Sequence, residues 1–231
     1  MTLRAGGGSA PPYKAFNIAD HVGDAPEAVA ANRERLARCL PSQPLWLKQV
    51  HGITAIPAGT HAGSDAPEAD AIWTRDHDRV CAVMTADCLP ILICNRAGTQ
   101  VAAIHAGWRG LAAGVIEEAL LSFQGHSDHL LAWLGPCIGP TAFEVGAEVY
   151  RAFLEDSPLA GSAFRPGITG HWLADLQHLA GIRLMRHGVD DIYVDSSCTY
   201  SDHNRFYSFR RDGSTGRMAT LIWIAGTTGD A

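Results

Sequence analysis

The chain has 231 residues, 47% of them hydrophobic and 18% charged, and a formal net charge of −6 at pH 7. That balance suits a globular protein with a substantial core, and no apolar run approaches the roughly 20 residues needed to cross a bilayer. The negative charge, with no run of Lys or Arg, argues against a nucleic-acid surface, so any anionic ligand must be met by a few local arginines. One domain is expected over residues 1–231. Residues 1–12 lack the basic segment and apolar core of a signal peptide, which points to the cytoplasm. There the six cysteines, Cys39, Cys81, Cys88, Cys94, Cys137 and Cys198, stay reduced.

Residues 4–12, rich in Gly, Pro and Ala, predict an irregular arm. A helix over 27–40 follows, with Asp24 as cap, Pro26 in the first turn and Val29, Leu36 and Leu40 on one face, stopped by Pro41 and Pro44. Residues 45–50 read as a strand that delivers His51 to a turn at Gly52, and 69–74 as another, with a loop-rich stretch between. Continuous apolar runs at 80–85 and 90–94 suit strands covered on both faces, with Cys88 in the bend between them. A strand over 101–104 places His105 just past its end, and a Gly107/Gly110 turn leads to a helix over 111–123. Residues 130–134 form a strand ending in Gly135-Pro136-Cys137-Ile138-Gly139-Pro140, a rigid turn able to hold backbone amides near a pocket. Helices over 144–154 and 173–187 and strands over 192–194, 206–209 and 218–224 complete the series. The irregular alternation predicts an α+β layered domain.

His51, Cys88 and His105 each stand at a strand-to-turn junction. Two imidazoles and a thiolate suit Zn²⁺, and three protein ligands leave a fourth position open, as catalytic zinc requires. A soft site of this kind also takes copper, intrinsically more tightly than zinc. Two other readings stay open on residue type alone. Cys88 is a small buried hydrophobe with the histidines capping strand ends, or Cys88 and a histidine form a nucleophile and base.

The segments Lys48-Gln49-Val50-His51-Gly52, Thr85-Ala86-Asp87-Cys88-Leu89-Pro90, His105-Ala106-Gly107-Trp108-Arg109-Gly110 and Gly135-Pro136-Cys137-Ile138-Gly139-Pro140 resemble the signature of the YfiH family. So do His21-Val22-Gly23-Asp24, Asp70-Ala71, Phe143-Glu144-Val145-Gly146, Ser208-Phe209-Arg210-Arg211-Asp212-Gly213 and Thr215-Gly216-Arg217. That family carries the labels multicopper polyphenol oxidase, laccase domain and peptidoglycan editing factor, and is also described as purine nucleoside phosphorylases with adenosine deaminase activity. The resemblance implies a layered α/β/β/α sandwich with mixed sheets, and zinc held by His51, Cys88 and His105. Two departures stand out. The opening Leu3-Arg4-Ala5-Gly6-Gly7-Gly8-Ser9 differs from the family's usual Thr-Arg-x-Gly-Gly-Val-Ser type, and Cys137 stands where Ala is common, which argues against a ligand role for it.

A multicopper oxidase needs about ten ligands, mostly His in close pairs. This chain has eleven His and no His-x-His. His61, His77, His126, His129, His178 and His187 sit in polar loops or on helices as solvated residues, so group transfer ranks above oxidation. Phosphorolysis of a purine nucleoside, such as adenosine, inosine, guanosine or methylthioadenosine, needs a cationic seat for phosphate. Arg109 is the first candidate, with Arg210, Arg211, Arg217 and Arg4 behind it, each equally able to pair structurally with Asp212, Asp202 or Glu117. Deamination of adenosine needs a carboxylate to move protons, for which Asp87 is the candidate and Asp70 the weaker one. Asp87 serves equally well to orient a ligand, and Asp70 to cap a turn. Trp108, Phe143 and Tyr207 read as purine-stacking or core aromatics, and Gly107, Gly110, Gly135 and Gly139 as close-approach or turn residues. The rival activities are hydrolysis of a peptidoglycan precursor by Cys88 and copper-dependent polyphenol oxidation.

Overall fold

The computed structural model describes residues 1–59, 65–123, 129–168 and 170–226. The expected layered α/β/β/α sandwich is what the chain adopts. Its helices are α1 (Pro26–Ala37), α2 (Trp108–Ala113), α3 (Val115–Leu121), α4 (Ala147–Asp156), α5 (Leu176–Arg186) and α6 (Phe209–Asp212). Its strands are β1 (Ala55–Pro57), β2 (Ala71–Thr74), β3 (Cys81–Thr85), β4 (Leu89–Asn95), β5 (Val101–Ala106), β6 (Leu130–Leu134), β7 (Glu144–Gly146), β8 (Phe164–Pro166), β9 (His171–Ala174), β10 (Asp191–Val194) and β11 (Met218–Ile222). A six-stranded mixed sheet runs β1-β2-β5-β4-β6-β10, a two-stranded ribbon pairs β11 with β3, and β7-β9-β8 form a small third sheet.

β5 is central, and all of its residues are buried. Because side chains alternate across a strand, Ala102, Ile104 and Ala106 enter the large core beneath Leu111, Ile116, Leu179 and Leu184 of the helices. Val101 and Ala103 point the opposite way, into a second core with Ile72, Cys81 and Val83. Leu36, next to the end of α1, covers the ribbon's far side in a cluster with Ile18, Met84, Ala219 and Leu221. These clusters separate the four layers.

Several predicted elements are corrected. Residues 45–50 form no strand, only a bridge from Lys48 to Glu68. The Gln49 side chain takes a strand's place there, donating from Nε2 to Met84 O (2.8 Å) and accepting from Met84 N (2.7 Å). The first helix ends at Ala37, ahead of the prolines, and Ala25 rather than Asp24 occupies its N-cap. The helix expected over 111–123 is two short ones broken at Gly114, whose φ of 106° lies in the left-handed region. Residues 144–146 and 171–174 are strands ahead of α4 and α5, because Glu144 pairs with Leu173 in β9. Residues 206–209 are no strand, since Tyr207 N bonds Met218 Sδ and Phe206 N bonds Asp202 O. His105 lies inside β5, not past it.

Arg183, 5% exposed, ties the helical layer together. It donates from Nη1 to Glu117 (2.6 Å) and from Nη2 to Ala112 O (2.8 Å), with Asp156 at 3.1 Å. Arg183→Met removes a buried guanidinium from the partly exposed carboxylates of Glu117 and Asp156 and is expected to cost about 1–3 kcal/mol in urea unfolding. Arg186→Met, at a half-exposed pairing with Asp156, is expected to cost less than about 1 kcal/mol.

Candidate metal centre

β4 and β5 form an antiparallel hairpin in which Pro90 faces His105. Cys88 and His105 therefore share the face that looks into the gap between the two sheets. His51 reaches the same point from the chain segment crossing above. Its Nε2 lies 3.7 Å from Cys88 Sγ, and its ring meets that of His105 edge-on at a centroid distance of 4.8 Å. The ligand atoms of His51, Cys88 and His105 all lie within 4.8 Å of one another. Ligands at about 2.0–2.3 Å from one tetrahedral ion require such spacing, so the donor set and its geometry fit a soft divalent metal.

One carboxylate organises both imidazoles. Asp70, 0% exposed, accepts from the consecutive amides of Val50 (3.2 Å), His51 (3.0 Å) and Gly52 (2.7 Å) and from His105 Nδ1 (2.8 Å). Its own carbonyl accepts from His105 N at 2.7 Å. Nδ1 of His105 carries the proton in that bond, so it is Nε2, once it gives up its proton, whose lone pair can serve a metal. Burial pushes the Asp70 pKa up, but the His105 and backbone hydrogen bonds outweigh it and hold the carboxyl below its ordinary value. Sequence alone offered Asp70 as a weak proton carrier or turn cap; the residues it holds lie too far along the chain to be read from spacing.

The backbone is strained at two points beside the site, His51 at φ 60° and Asp87 at φ 95°. Glycine permits the close packing. A Cβ on Gly107 would come within 2.6 Å of the His51 ring, and one on Gly110 within 2.6 Å of Gly52 O. Asp87 is nearly buried and accepts from Thr199 Oγ1 (2.7 Å), Ser208 Oγ (3.0 Å) and Arg210 N (2.7 Å).

The three ligands line a cavity of about 300 Å³ whose wall includes His21, Gln49, Phe209 and Arg217. Arg217 donates from Nη1 to the carbonyls of Thr215 (2.9 Å) and Gly216 (3.1 Å), fixing its fork at that wall. The other predicted arginines are engaged elsewhere. Arg109 stacks on Trp108 at 4.3 Å. Arg4 donates to Lys14 O and His203 O, Arg210 to Glu144 O, and Arg211 to Asp212 and three backbone carbonyls. Phe143 and Tyr207 are core. The aromatic at the cavity is Phe209, which, like His21, lay in a quoted motif without being singled out. His77 and His178 are exposed and bond Ala225 O and Ser162. His187 lies 3.6 Å from Glu117, and His129 is exposed; His61 and His126 fall outside the described residues. All six cysteines are free thiols.

A family model described as multi-copper polyphenol oxidoreductase laccase matches residues 1–225. The chain is 51% identical over 226 residues to the purine nucleoside phosphorylase YfiH of Shigella flexneri, covering 96% of this chain and 92% of that one. The chain belongs to the YfiH family. Another YfiH-family relative, a purine nucleoside phosphorylase of Pseudomonas aeruginosa, is 50% identical over 97% of this chain and 92% of its own. The crystal structure of Neisseria meningitidis protein NMB0706 superposes with a TM-score of 0.94 at 46% identity, covering 98% of this chain and 93% of that one. Geobacillus stearothermophilus YlmD gives a TM-score of 0.89 at 31% identity, over 97% of this chain and 90% of that one. No helix among the described residues is long and apolar enough to cross a membrane.

Two outcomes are expected of this centre. Burial opposes ionisation of Cys88, but the adjacent charge of His105 and hydrogen bonds from His105 and His51 outweigh it, lowering the thiol to about 6. Burial likewise opposes charging of His105, while Cys88 and Asp70 raise it to about 9. A lowered thiol pKa means thiolate above it, so metal-stripped protein should show iodoacetamide labelling of Cys88 rising through about pH 6. His105→Ala should move that midpoint upward, and bound metal should suppress the labelling. Asp70→Asn turns one acceptor oxygen into a donor facing backbone N–H groups; metal affinity, read by chelator competition, should fall about 10–100-fold.

Proposed function

We propose that this protein is a zinc-dependent purine nucleoside phosphorylase, cleaving a nucleoside with phosphate to free base and ribose 1-phosphate. The observation that carries the reading is one cavity holding a three-donor soft-metal site on its floor and a fixed guanidinium, an imidazole and an aromatic ring on its wall. The names of the relatives point the same way. When bound, the metal supplies a Lewis acid at the open fourth position.

Arg217 is assigned the phosphate in place of Arg109, because it faces the cavity with one nitrogen already anchored and its remaining donors available as a fork. Phosphate oxygen attacks the anomeric carbon of the ribose as the bond to the purine nitrogen breaks and its electrons pass to the base. Phe209, 58% exposed, offers a face on which the purine stacks. Burial and the Arg217 charge lower the His21 pKa below its ordinary value, and its imidazole is assigned a hydrogen bond with a ribose hydroxyl. Cys88 serves as ligand rather than nucleophile, supported by two imidazoles converging on its sulfur. Asp87 is assigned a positioning role, since hydrogen bonds from three separate groups hold its carboxylate in place beside Cys88.

Purified protein incubated with adenosine, inosine, guanosine or methylthioadenosine should release base only when phosphate is present, with ribose 1-phosphate as co-product in chromatography. Base release from none of them overturns the reading. Adenosine converted to inosine in the same assay would add the deaminase activity. Arg217→Met should raise the KM for phosphate about 10–100-fold, the loss of a charge-assisted hydrogen-bonded pair. Elemental analysis of protein prepared without added copper should find zinc near one per chain, and copper in its place would refute that assignment.

A further inference from the structure

Cys137 and Cys198 are used by none of the chemistry above, yet they face each other across an isolated parallel β-bridge. Thr199 N donates to Cys137 O at 2.9 Å to close it. Bridge partners stand about 4.7–4.9 Å apart, inside the roughly 4.4–6.8 Å between Cα atoms that a disulfide spans. The Cys198 thiol is partly exposed and accepts from Gly139 N at 3.1 Å, whereas Cys137 is buried. Glycine at 139 eases this approach, since a Cβ there would lie 3.1 Å from the Cys198 sulfur. Burial opposes ionisation of Cys198, but hydrogen bonds from the Ser201 side chain and from the Gly139, Ser201 and Tyr200 backbone lower its pKa. Burial raises that of Cys137. The two sulfurs thus divide into a partly exposed thiol that meets an oxidant first and a shielded one placed to resolve it.

We propose that Cys137 and Cys198 are an oxidative modification site, closing to a reversible disulfide when hydrogen peroxide reaches Cys198. Cys198 thiolate attacks a peroxide oxygen; the S–O bond forms, the O–O bond breaks, and the departing hydroxide takes a proton to become water. A rotation about χ1 turns Cys198 toward Cys137. The Cys137 sulfur then attacks the sulfenic sulfur, forming S–S and breaking S–O, and the second hydroxide leaves as water with the Cys137 proton. Two thiols lose two electrons and one peroxide becomes two waters.

The bond would be felt at the metal centre. Ile138, next to Cys137, donates its amide to Asp87 O at 2.9 Å, and Thr199, next to Cys198, donates its hydroxyl to Asp87 Oδ1 at 2.7 Å. Both therefore grip the strained residue that precedes Cys88. Drawing the two cysteines together shifts both grips, and activity falls. This consequence rests on the proposed phosphorylase reading; the bond itself does not.

The test treats the metal-loaded protein with hydrogen peroxide, blocks free thiols and digests with trypsin. Peptides 110–151 and 187–205 each hold a single cysteine, so the expected product is those two peptides linked, lighter by two hydrogens and separated by dithiothreitol. The link should be absent in Cys198→Ala. Sulfinate or a dimedone adduct on Cys198 without the link, a link from either cysteine to the peptide holding Cys88, or no change at either residue would overturn the site. Phosphorolysis should fall about fivefold or more in the wild type, recover with dithiothreitol, and persist in treated Cys198→Ala. A formed link with unchanged turnover overturns the coupling, while no turnover before treatment counts against the phosphorylase reading alone.

Discussion

Everything at the centre is hung on the carboxylate of Asp70. It sits at the start of β2 with no solvent contact, and three successive amides of the 50–52 segment and the ring of His105 all donate to it. A buried carboxylate is costly unless its oxygens are saturated, and here the groups that saturate it are the backbone of one proposed ligand and the side chain of another. The same bonds that neutralise the burial penalty fix the two imidazoles relative to each other. Function and local stability thus draw on one interaction.

The layered architecture explains why the site lies where it does. β5 must be covered on both faces, so its even-numbered residues pack under helices and its odd-numbered ones enter the space between the sheets. His105 follows the second set and emerges at the end of that space, where the hairpin register brings Cys88 alongside. Left-handed backbone at His51 and Asp87 is the strain that bending both segments inward entails. It is held by surrounding hydrogen bonds, Asp70 in one case and Ile138, Thr199, Ser208 and Arg210 in the other.

The arginines show how context sorts identical chemistry. Guanidinium groups that meet carbonyls, carboxylates and aromatic faces become struts: Arg183 between helices, Arg211 around the 199–206 loop, Arg4 across the N-terminal arm. Among the described residues that line the cavity, Arg217 supplies the guanidinium. Its burial lowers its pKa while the nearby Cys88 and Asp87 charges counteract that.

By itself the sequence singled out His51, Cys88 and His105, the family and the layered α+β class, because candidate ligand chemistry is written in residue type and the buried strands β3, β4 and β5 in unbroken apolar runs. It also placed β6 and β10 within a residue. Elements whose partners come from elsewhere were not legible. Residues 45–50 look like a strand but reach Met84 through the Gln49 side chain instead of the backbone, and 206–209 spend their polar groups on Asp202 and Met218. Only the tertiary structure decided that Asp70 organises the centre, that Phe209 and His21 reach the cavity, and which arginine faces it. Those are contacts between residues tens of positions apart, and their energies depend on distance and burial, which no local pattern encodes.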